Sequence, residues 1–213
     1  LYNYTEGYGS YLIPAVMMII IFQTLLMVIG MVTGEEYSSD GIRTYAPFGH
    51  TWAAAIRIVA GKTFVYCGLY AIFSFFLLGL LPYFFSIPNI GNGLYIVLLM
   101  IPYLIATSFL GLAASRYFTD SEAPLLMIAF FSVGLIFLSG VSYPMELMPW
   151  YWKATHYILP AAPATLAFVQ LNSMGASMAD IRPEYITLWI QVLVYFILSI
   201  WVYQKKLQKS QLR

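Results

Sequence analysis

The longest uninterrupted indication of the fold is the stretch YLIPAVMMIIIFQTLLMVIGMVT, from Tyr11 to Thr33. It contains no acidic, basic or histidine side chain over 23 residues. Because the hydrocarbon core of a bilayer is about 30 Å thick, roughly 20 apolar residues in a helix are enough to cross it. The stretch therefore predicts a transmembrane helix.

Further apolar stretches of similar length follow it along the chain. Alternating segments of about ten residues, typical of transmembrane strands, are missing, and irregular backbone cannot face lipid. We therefore predict an all-α, polytopic membrane protein that forms a single transmembrane domain over 1–213, with five transmembrane helices and additional interfacial or re-entrant helices. The predicted spans are Tyr11–Thr33, Thr63–Leu81, Leu94–Ser115, Ala123–Ser142 and Glu184–Tyr203.

The composition agrees with this prediction. Hydrophobic residues make up 61% of the chain and charged residues 9%, against about 25% charged in an average soluble domain. An ordinary soluble enzyme is excluded, and a net charge of +1 gives no indication of nucleic-acid binding. The single Cys67 is interpreted as a small buried hydrophobe, and no catalytic or metal site is predicted.

Basic residues predict the orientation of the chain, because they accumulate on the cytoplasmic side of membranes. With the N-terminus of this segment outside, eight basic residues fall inside and only Lys153 and Arg182 outside. We expect the C-terminus to be cytoplasmic. The eight inside residues are Arg43, Arg57, Lys62, Arg116, Lys205, Lys206, Lys209 and Arg213.

Two of the connecting segments are too long to be simple turns. The inside segment, 34–62, contains Trp52–Val59, whose mixed apolar and basic character indicates a helix at the membrane interface. The outside segment, 143–183, combines prolines with clustered Trp and Tyr, which predicts a broken, interface-seated structure. Within it, Ala161–Leu171 is apolar but short, which favours a re-entrant or interfacial helix.

The predicted spans contain almost no ionisable side chains. A proton-driven transporter needs carboxylates or histidines inside the membrane as relay groups, and none is evident, since Glu184 sits at a helix end. Gly61-Lys62-Thr63 resembles the end of a phosphate-binding loop, but Ile56 stands where the first glycine would be. Lys62 is therefore interpreted as a snorkelling anchor, and the chain carries neither a nucleotide motif nor a proton relay.

Two acidic residues, Glu35 and Glu36, follow the first predicted span. At the end of a helix they oppose the macrodipole, so local stability does not favour them there. If the chain instead continues into a second, interfacial helix, they lie near its N-terminus and can reach a basic partner. Both readings stay open on the sequence.

Several motifs together resemble the permease subunits of type-2 ABC transporters. They are the Gly34-Glu35-Glu36 motif with Gly41, the run Arg57–Lys62 before the next span, and the stretch FLSGVSYPMELMPWYW from Phe137 to Trp152. The closing segments Asn172–Ala176 and Leu188–Gln191 are similar to bacterial members that carry an extracytoplasmic domain between their first two spans. The resemblance covers nearly the whole chain, and Leu138–Pro149 is its most specific part.

The resemblance implies spans two to six of a longer permease in a bacterial inner membrane. It implies a dimer with a second permease copy or a related half, in contact with membrane lipid. It also implies a separate cytoplasmic ATP-binding-cassette subunit, which binds ATP and Mg²⁺ and contacts 34–62. The residues implied for ATPase coupling are Glu35, Glu36, Gly41, Arg57, Gly61 and Lys62, and those implied for an outer gate within a re-entrant element are Ser139, Gly140, Pro144, Met148, Pro149 and Trp150.

The sequence thus favours an ATP-driven exporter of a hydrophobic or amphipathic compound. One alternative is a secondary transporter that uses an ion gradient, and transport that survives ATP depletion would favour it. The other is a membrane-anchoring or assembly subunit whose helices only hold a partner in place. Transport assays in which the partner keeps its own activity separate that alternative from a permease.

Overall fold

The computed structural model describes residues 8–38, 49, 51–85, 90–117, 122, 124, 134–141 and 148–210. Within these ranges the regular structure is helical and contains no strand. The helices, with a five-residue π-helical segment after α2, are α1 Tyr8–Ser38, α2 Trp52–Phe75, the π segment Phe76–Leu80, α3 Leu81–Phe84, α4 Gly93–Ala114, α5 Trp150–His156, α6 Ala161–Met174 and α7 Arg182–Ser210.

The described part of the chain contains four helices that are long and apolar enough to cross a membrane. They are Leu12–Glu36, Trp52–Phe84, Gly93–Ala114 and Arg182–Gln208. The prediction of an all-helical, multi-pass membrane protein is confirmed. The predicted span 123–142 lies mostly outside the described residues, so the count of five spans stays a prediction.

The second of these helical stretches is longer than the sequence predicts. Thr51 caps its N-terminus by accepting a hydrogen bond from the Ala54 backbone N–H, at 3.3 Å. The helix then runs without a break through Gly61 into the predicted span, because the alanine-rich start favours helix and no proline interrupts it. The segment 52–59, predicted as an interfacial helix, is therefore the beginning of a 33-residue helical stretch.

The short helix α6 lies in the core of the protein. Nine of the residues from Ala161 to Leu171 are buried, and α6 packs against α1, α4 and α7. Its alanines let the longer helices approach closely, which explains why an apolar segment of this length is buried among them. A re-entrant or interfacial position of Ala161–Leu171 relative to the membrane stays a prediction.

Helix α6 ends against the loop before α4. Gly175 adopts a left-handed conformation, with φ of 65°, and terminates the helix. The Ile90 N–H donates to the Asn172 carbonyl at 3.0 Å. At Gly91 a Cβ atom would lie 2.5 Å from the Leu171 carbonyl oxygen, so only glycine fits at this contact.

The close approach at Gly91 predicts that a side chain there destabilises the protein. We expect Gly91→Ala to lower the free energy of unfolding by about 1–3 kcal/mol, because the backbones of the loop and of α6 must move apart. Gly93→Ala is the matched control, since a Cβ at Gly93 meets no atom within 4 Å. Thermal unfolding of both purified variants in detergent measures the difference, and equal stability of the two would contradict the close approach.

Candidate functional site

An ion pair joins the C-terminal turn of α1 to α2. The Lys62 Nζ atom lies 2.6 Å from Glu36 Oε1 and 2.5 Å from Glu36 Oε2. Both side chains are largely buried, with 13% of Lys62 and 22% of Glu36 exposed. The interpretation of Lys62 as a snorkelling anchor is wrong, since its ammonium is held by a carboxylate of the neighbouring helix.

Helices α4 and α7 reach the same place. Lys62 Nζ donates to the Tyr203 hydroxyl at 3.2 Å, and Lys206 Nζ lies 5.2 Å from the centroid of the same Tyr203 ring. Lys206 also donates to Ser115 Oγ at 2.9 Å, just beyond the end of α4. We call Glu36, Lys62, Ser115, Tyr203 and Lys206 the charged cluster, and it ties four helices together.

The charged cluster resolves the two readings of the acidic pair. Glu35 and Glu36 both lie inside α1, which continues to Ser38, so they occupy the C-terminal end of a helix. The macrodipole disfavours a carboxylate there, and the Lys62 ammonium compensates the Glu36 charge. Glu35 is exposed. The pairing gives Glu36 a structural role in holding α1 to α2. Its contact with an ATPase stays a prediction.

Two of the remaining residues predicted for coupling lie on the exposed surface of α2. Arg57 and Gly61 are exposed on the first three turns of α2, and Gly41 lies outside the described residues. A Cβ added at Gly61 would meet no atom within 4 Å, so this surface is open. The structure brings Glu36 and Lys62 together, while Arg57 and Gly61 face away from protein.

The predicted outer gate begins at a helix end. A helical turn at 134–138 stops at Ser139 and Gly140, where Gly140 has a φ of 79°. Ser139 is fully buried and donates through Oγ to the Ile136 carbonyl at 2.7 Å. Val141 then packs against Ala15 of α1 and Val169 of α6. The Ser139-Gly140 pair therefore turns the chain into the core near the N-terminal end of α1.

His156 holds this helix end to α5. Its ring is 1% exposed, and Nδ1 lies 2.8 Å from the Leu138 carbonyl oxygen. Burial lowers the pKa of His156, although the hydrogen bond to Leu138 opposes the shift. The imidazole is therefore neutral at pH 7, and in that form Nδ1–H donates to the carbonyl.

The other predicted gate residues have different surroundings. Met148 is buried, Pro149 precedes the first turn of α5, and Pro144 lies outside the described residues. Trp150 is 81% exposed and stacks edge-on against Tyr151, with ring centroids 5.9 Å apart. Exposed Trp and Tyr side chains of this kind are typical of the membrane interface.

Helix α7 fixes the turn that follows α5. Gln191 Nε2 donates to the Tyr157 carbonyl at 2.8 Å, and the Tyr195 hydroxyl donates to the Ile158 carbonyl. Two side chains, one helical turn apart, thus satisfy two consecutive backbone carbonyls. Gln191 therefore makes a structural hydrogen bond, as polar side chains inside helix bundles usually do. Its partner is the turn after α5 rather than another helix.

Sequence reasoning missed Tyr203, Lys206, Ser115 and His156 as site residues. Tyr203 and Lys206 are three residues apart on one helix face, a spacing that could have indicated a shared partner. His156 had no such signal, because a carbonyl 18 positions earlier in the chain is invisible to local patterns. Among the described residues, no three His, Cys, Asp or Glu side chains cluster in a way that could hold a metal ion.

Comparison with known proteins gives one match. The model of a family described as ABC-2 family transporter protein matches residues 1–201. Neither curated proteins nor solved structures match the chain. The family model covers α1 to α6 completely and most of α7.

The charged cluster predicts a measurable coupling between Glu36 and Lys62. In a double-mutant cycle with Glu36→Gln and Lys62→Met, we expect a coupling energy of about 1–3 kcal/mol, because each single change leaves a largely buried polar group without its partner. Unfolding of the purified protein in detergent measures it. The same cycle with Glu35→Gln in place of Glu36→Gln is the control, and a coupling of similar size there would contradict a specific pair.

His156 predicts how stability depends on pH. The pKa of His156 is lower in the folded state than the ordinary value near 6.5, so the unfolded chain binds the proton more readily. Stability should fall as the pH drops below about 6.5 towards the folded pKa. We expect the Tm to decrease between pH 7.5 and 5.5, and the decrease to be smaller in His156→Gln.

Lys153→Gln, on the same short helix, is the control for this measurement and should keep the full decrease. An identical pH dependence of the wild type and His156→Gln would show that other groups cause the loss.

Proposed function

The chain belongs to the ABC-2 family of transporter proteins, and from this membership we propose that it is the permease of an ATP-driven exporter for hydrophobic or amphipathic compounds. As a member of this family it is a membrane-embedded transport subunit without catalytic activity of its own. Its ATP-binding cassette is a separate partner. That subunit binds ATP and Mg²⁺ and supplies the energy of transport.

The residues inside the spans support an external energy source. The stretches 12–34, 63–84, 93–114 and 185–204 contain no acidic, basic or histidine side chain. Transport driven by protons requires such groups along its path. The charges of the four long helices lie instead near their ends, as the charged cluster does.

The length of the second spanning helix supports the placement of the coupling face. Its 33 residues correspond to about 50 Å, which exceeds a hydrocarbon core of about 30 Å by several turns. We place the excess, with Arg57 and Gly61, on the cytoplasmic side together with the charged cluster. Exposed Glu35 and Arg57 then face the ATPase, while the Glu36–Lys62 pair joins this face to α1.

The opposite end then carries the outer gate. We assign Ser139, Gly140 and Met148 to its inner part, where Ser139 and Met148 are buried and Gly140 is half-buried. Pro149 and Trp150 form its membrane-facing part. The Leu138 carbonyl and His156 connect the two parts at 2.8 Å. Opening of the path would separate α5 from the helix end at 134–138, and the neutral imidazole makes that contact easier to break than an ion pair.

The remaining features follow the family resemblance. We propose a location in a bacterial inner membrane, with the N-terminus of this chain outside and its C-terminus inside. A second copy or a related half completes the permease. Substrates with few charges are favoured, because the spans offer apolar and aromatic side chains rather than fixed charges.

The coupling face predicts the effect of charge reversal at Arg57. We expect Arg57→Glu to lower substrate-stimulated ATP hydrolysis at least tenfold in proteoliposomes that contain the permease and its ATPase. The Tm of the permease alone should not change, because Arg57 is exposed and its reversal breaks no packing. ATP hydrolysis and Tm are measured on the same preparations.

Arg182→Glu is the matched control, since Arg182 is also exposed but lies at the opposite end of the long helices. Equal losses in both variants would contradict a coupling face at Arg57. Transport that continues after ATP depletion and collapses with the ion gradient would contradict the proposed energy source.

A further inference from the structure

We propose that the groove between α2 and α4 is the binding site of the transported compound, and that this compound is a lipophilic molecule with one hydrogen-bonding group that contacts Ser74. The inference rests on the proposed transport function and adds to it a place and a chemical class. The groove has a volume of about 540 Å³. Sites for small molecules typically enclose about 300–1,000 Å³.

The walls of the groove are almost entirely apolar. Leu78 and Gly79 of the π segment after α2 line one side, and Val97, Met100 and Leu104 of α4 line the other. The two helical stretches that form the groove are both long and apolar enough to cross a membrane. Walls of this kind offer an occupant few polar partners, which favours an apolar molecule.

A π-helical segment forms one end of the groove. At Phe76–Leu80 the helix widens, and the Leu81 N–H donates to the Phe76 carbonyl, five residues back. Single π turns of this kind are rare and occur frequently at functional sites. Gly79 adds no side chain, and a Cβ there would contact only the Phe75 ring at 3.7 Å, so the backbone of the π segment borders the open space.

Ser74 is the polar group that the groove offers to a ligand. It is 5% exposed, and its Oγ atom has no hydrogen-bond partner. Hydroxyl groups in helices often donate to a carbonyl three or four residues earlier, as Thr33 and Ser199 do in this protein. Other buried helix hydroxyls also have no partner, but they do not line the groove: Thr63, Thr107 and Thr165. The other polar side chain of the groove, Cys67, lies 3.7 Å from Ser108 Oγ.

The unpartnered hydroxyl makes the choice of ligand specific. A pure hydrocarbon would fill the groove but leave Ser74 unsatisfied, and leaving a buried polar group unpaired is unfavourable. A molecule with one hydroxyl, carbonyl or ether group satisfies it. Several charges on the ligand would find no counter-ion on these walls.

The groove is open towards the membrane. Phe75, Val97 and Ile101 line it and are themselves exposed on the surface of the spanning helices. A lipophilic compound dissolved in the bilayer can therefore enter sideways, without passing through water. Such a route suits an exporter that collects its substrate from the membrane.

Two matched photoreactive probes test the inference. One is decanol with a diazirine on its alkyl chain, and the other is the corresponding diazirine-bearing decane without the hydroxyl. Both are added at equal membrane content to the full-length permease with its ATPase in proteoliposomes. After irradiation, mass spectrometry locates the labelled peptides.

We expect the alcohol to label 67–79 and 96–105 at least fivefold more than the alkane does. Ser74→Ala should reduce the labelling by the alcohol to that by the alkane. Ala71→Trp fills the groove and should abolish the difference, because Ala71 lines it. Gly68→Trp is the matched control on the same helix, since a Cβ at Gly68 meets no atom within 4 Å.

ATP-dependent export of a hydrophobic fluorescent dye is measured on the same proteoliposomes. Ala71→Trp should lower it at least tenfold and Gly68→Trp less than twofold, with the Tm of both variants near that of the wild type. Ser74→Ala keeps the test valid if the tryptophan variant fails to fold, because it removes one atom only.

Three outcomes would overturn the inference. Equal labelling by both probes would mean that bilayer hydrocarbon occupies the groove. No labelling of these peptides would mean that protein, such as a second copy of this chain, covers it. Selective labelling with unchanged export in Ala71→Trp would separate the groove from the transport route while the proposed function stands.

A block of export by Ala71→Trp under an ion gradient without ATP would contradict the proposed function and support the groove.

Discussion

Hydrocarbon forms no hydrogen bonds, and the structure of this protein follows from that constraint. Backbone groups inside the membrane are bonded within helices, and hydroxyl groups such as those of Thr24 and Thr33 return to carbonyls of their own helix. At turns and helix ends, long side chains donate hydrogen bonds to the backbone carbonyls that the helices leave without a partner. Gln191 and Tyr195 of α7 serve two consecutive carbonyls at the turn after α5, and His156 serves the one at Leu138.

The same constraint keeps the charges near the ends of the helices. Glu36, Lys62 and Lys206 come from three different helices and meet around Tyr203. Each would be costly alone at this degree of burial. The Glu36 carboxylate compensates the Lys62 ammonium, while Lys206 donates to Ser115 and lies against the Tyr203 ring. The arrangement fixes the mutual positions of α1, α2, α4 and α7 at the face where we place the ATPase. Movement of that face is then shared by all four helices.

Hydropathy predicted the spanning helices well, since a run of twenty apolar residues has few alternatives in any protein. The ends of the helices were harder to predict from the sequence. The start of α2 at Trp52 depends on a cap from Thr51, and the burial of α6 depends on alanines that matter only beside α1, α4 and α7. The acidic pair and Lys62 were recognised separately, but their contact spans 26 residues of chain, and no local pattern reports it. The unpartnered Ser74 and the π segment likewise have no sequence signal, because both depend on what the neighbouring helix leaves open.

The continuous helical stretch from Trp52 to Phe84 has a mechanical consequence. A helical stretch of about 50 Å acts as a lever, and a tilt of about 5° about one end displaces the other by about 4 Å. That displacement is close to the width of one side chain. A small reorientation where the ATPase binds would thus arrive at the π segment as a movement large enough to close or widen the space beside it, with no need for the helix to unwind along its length.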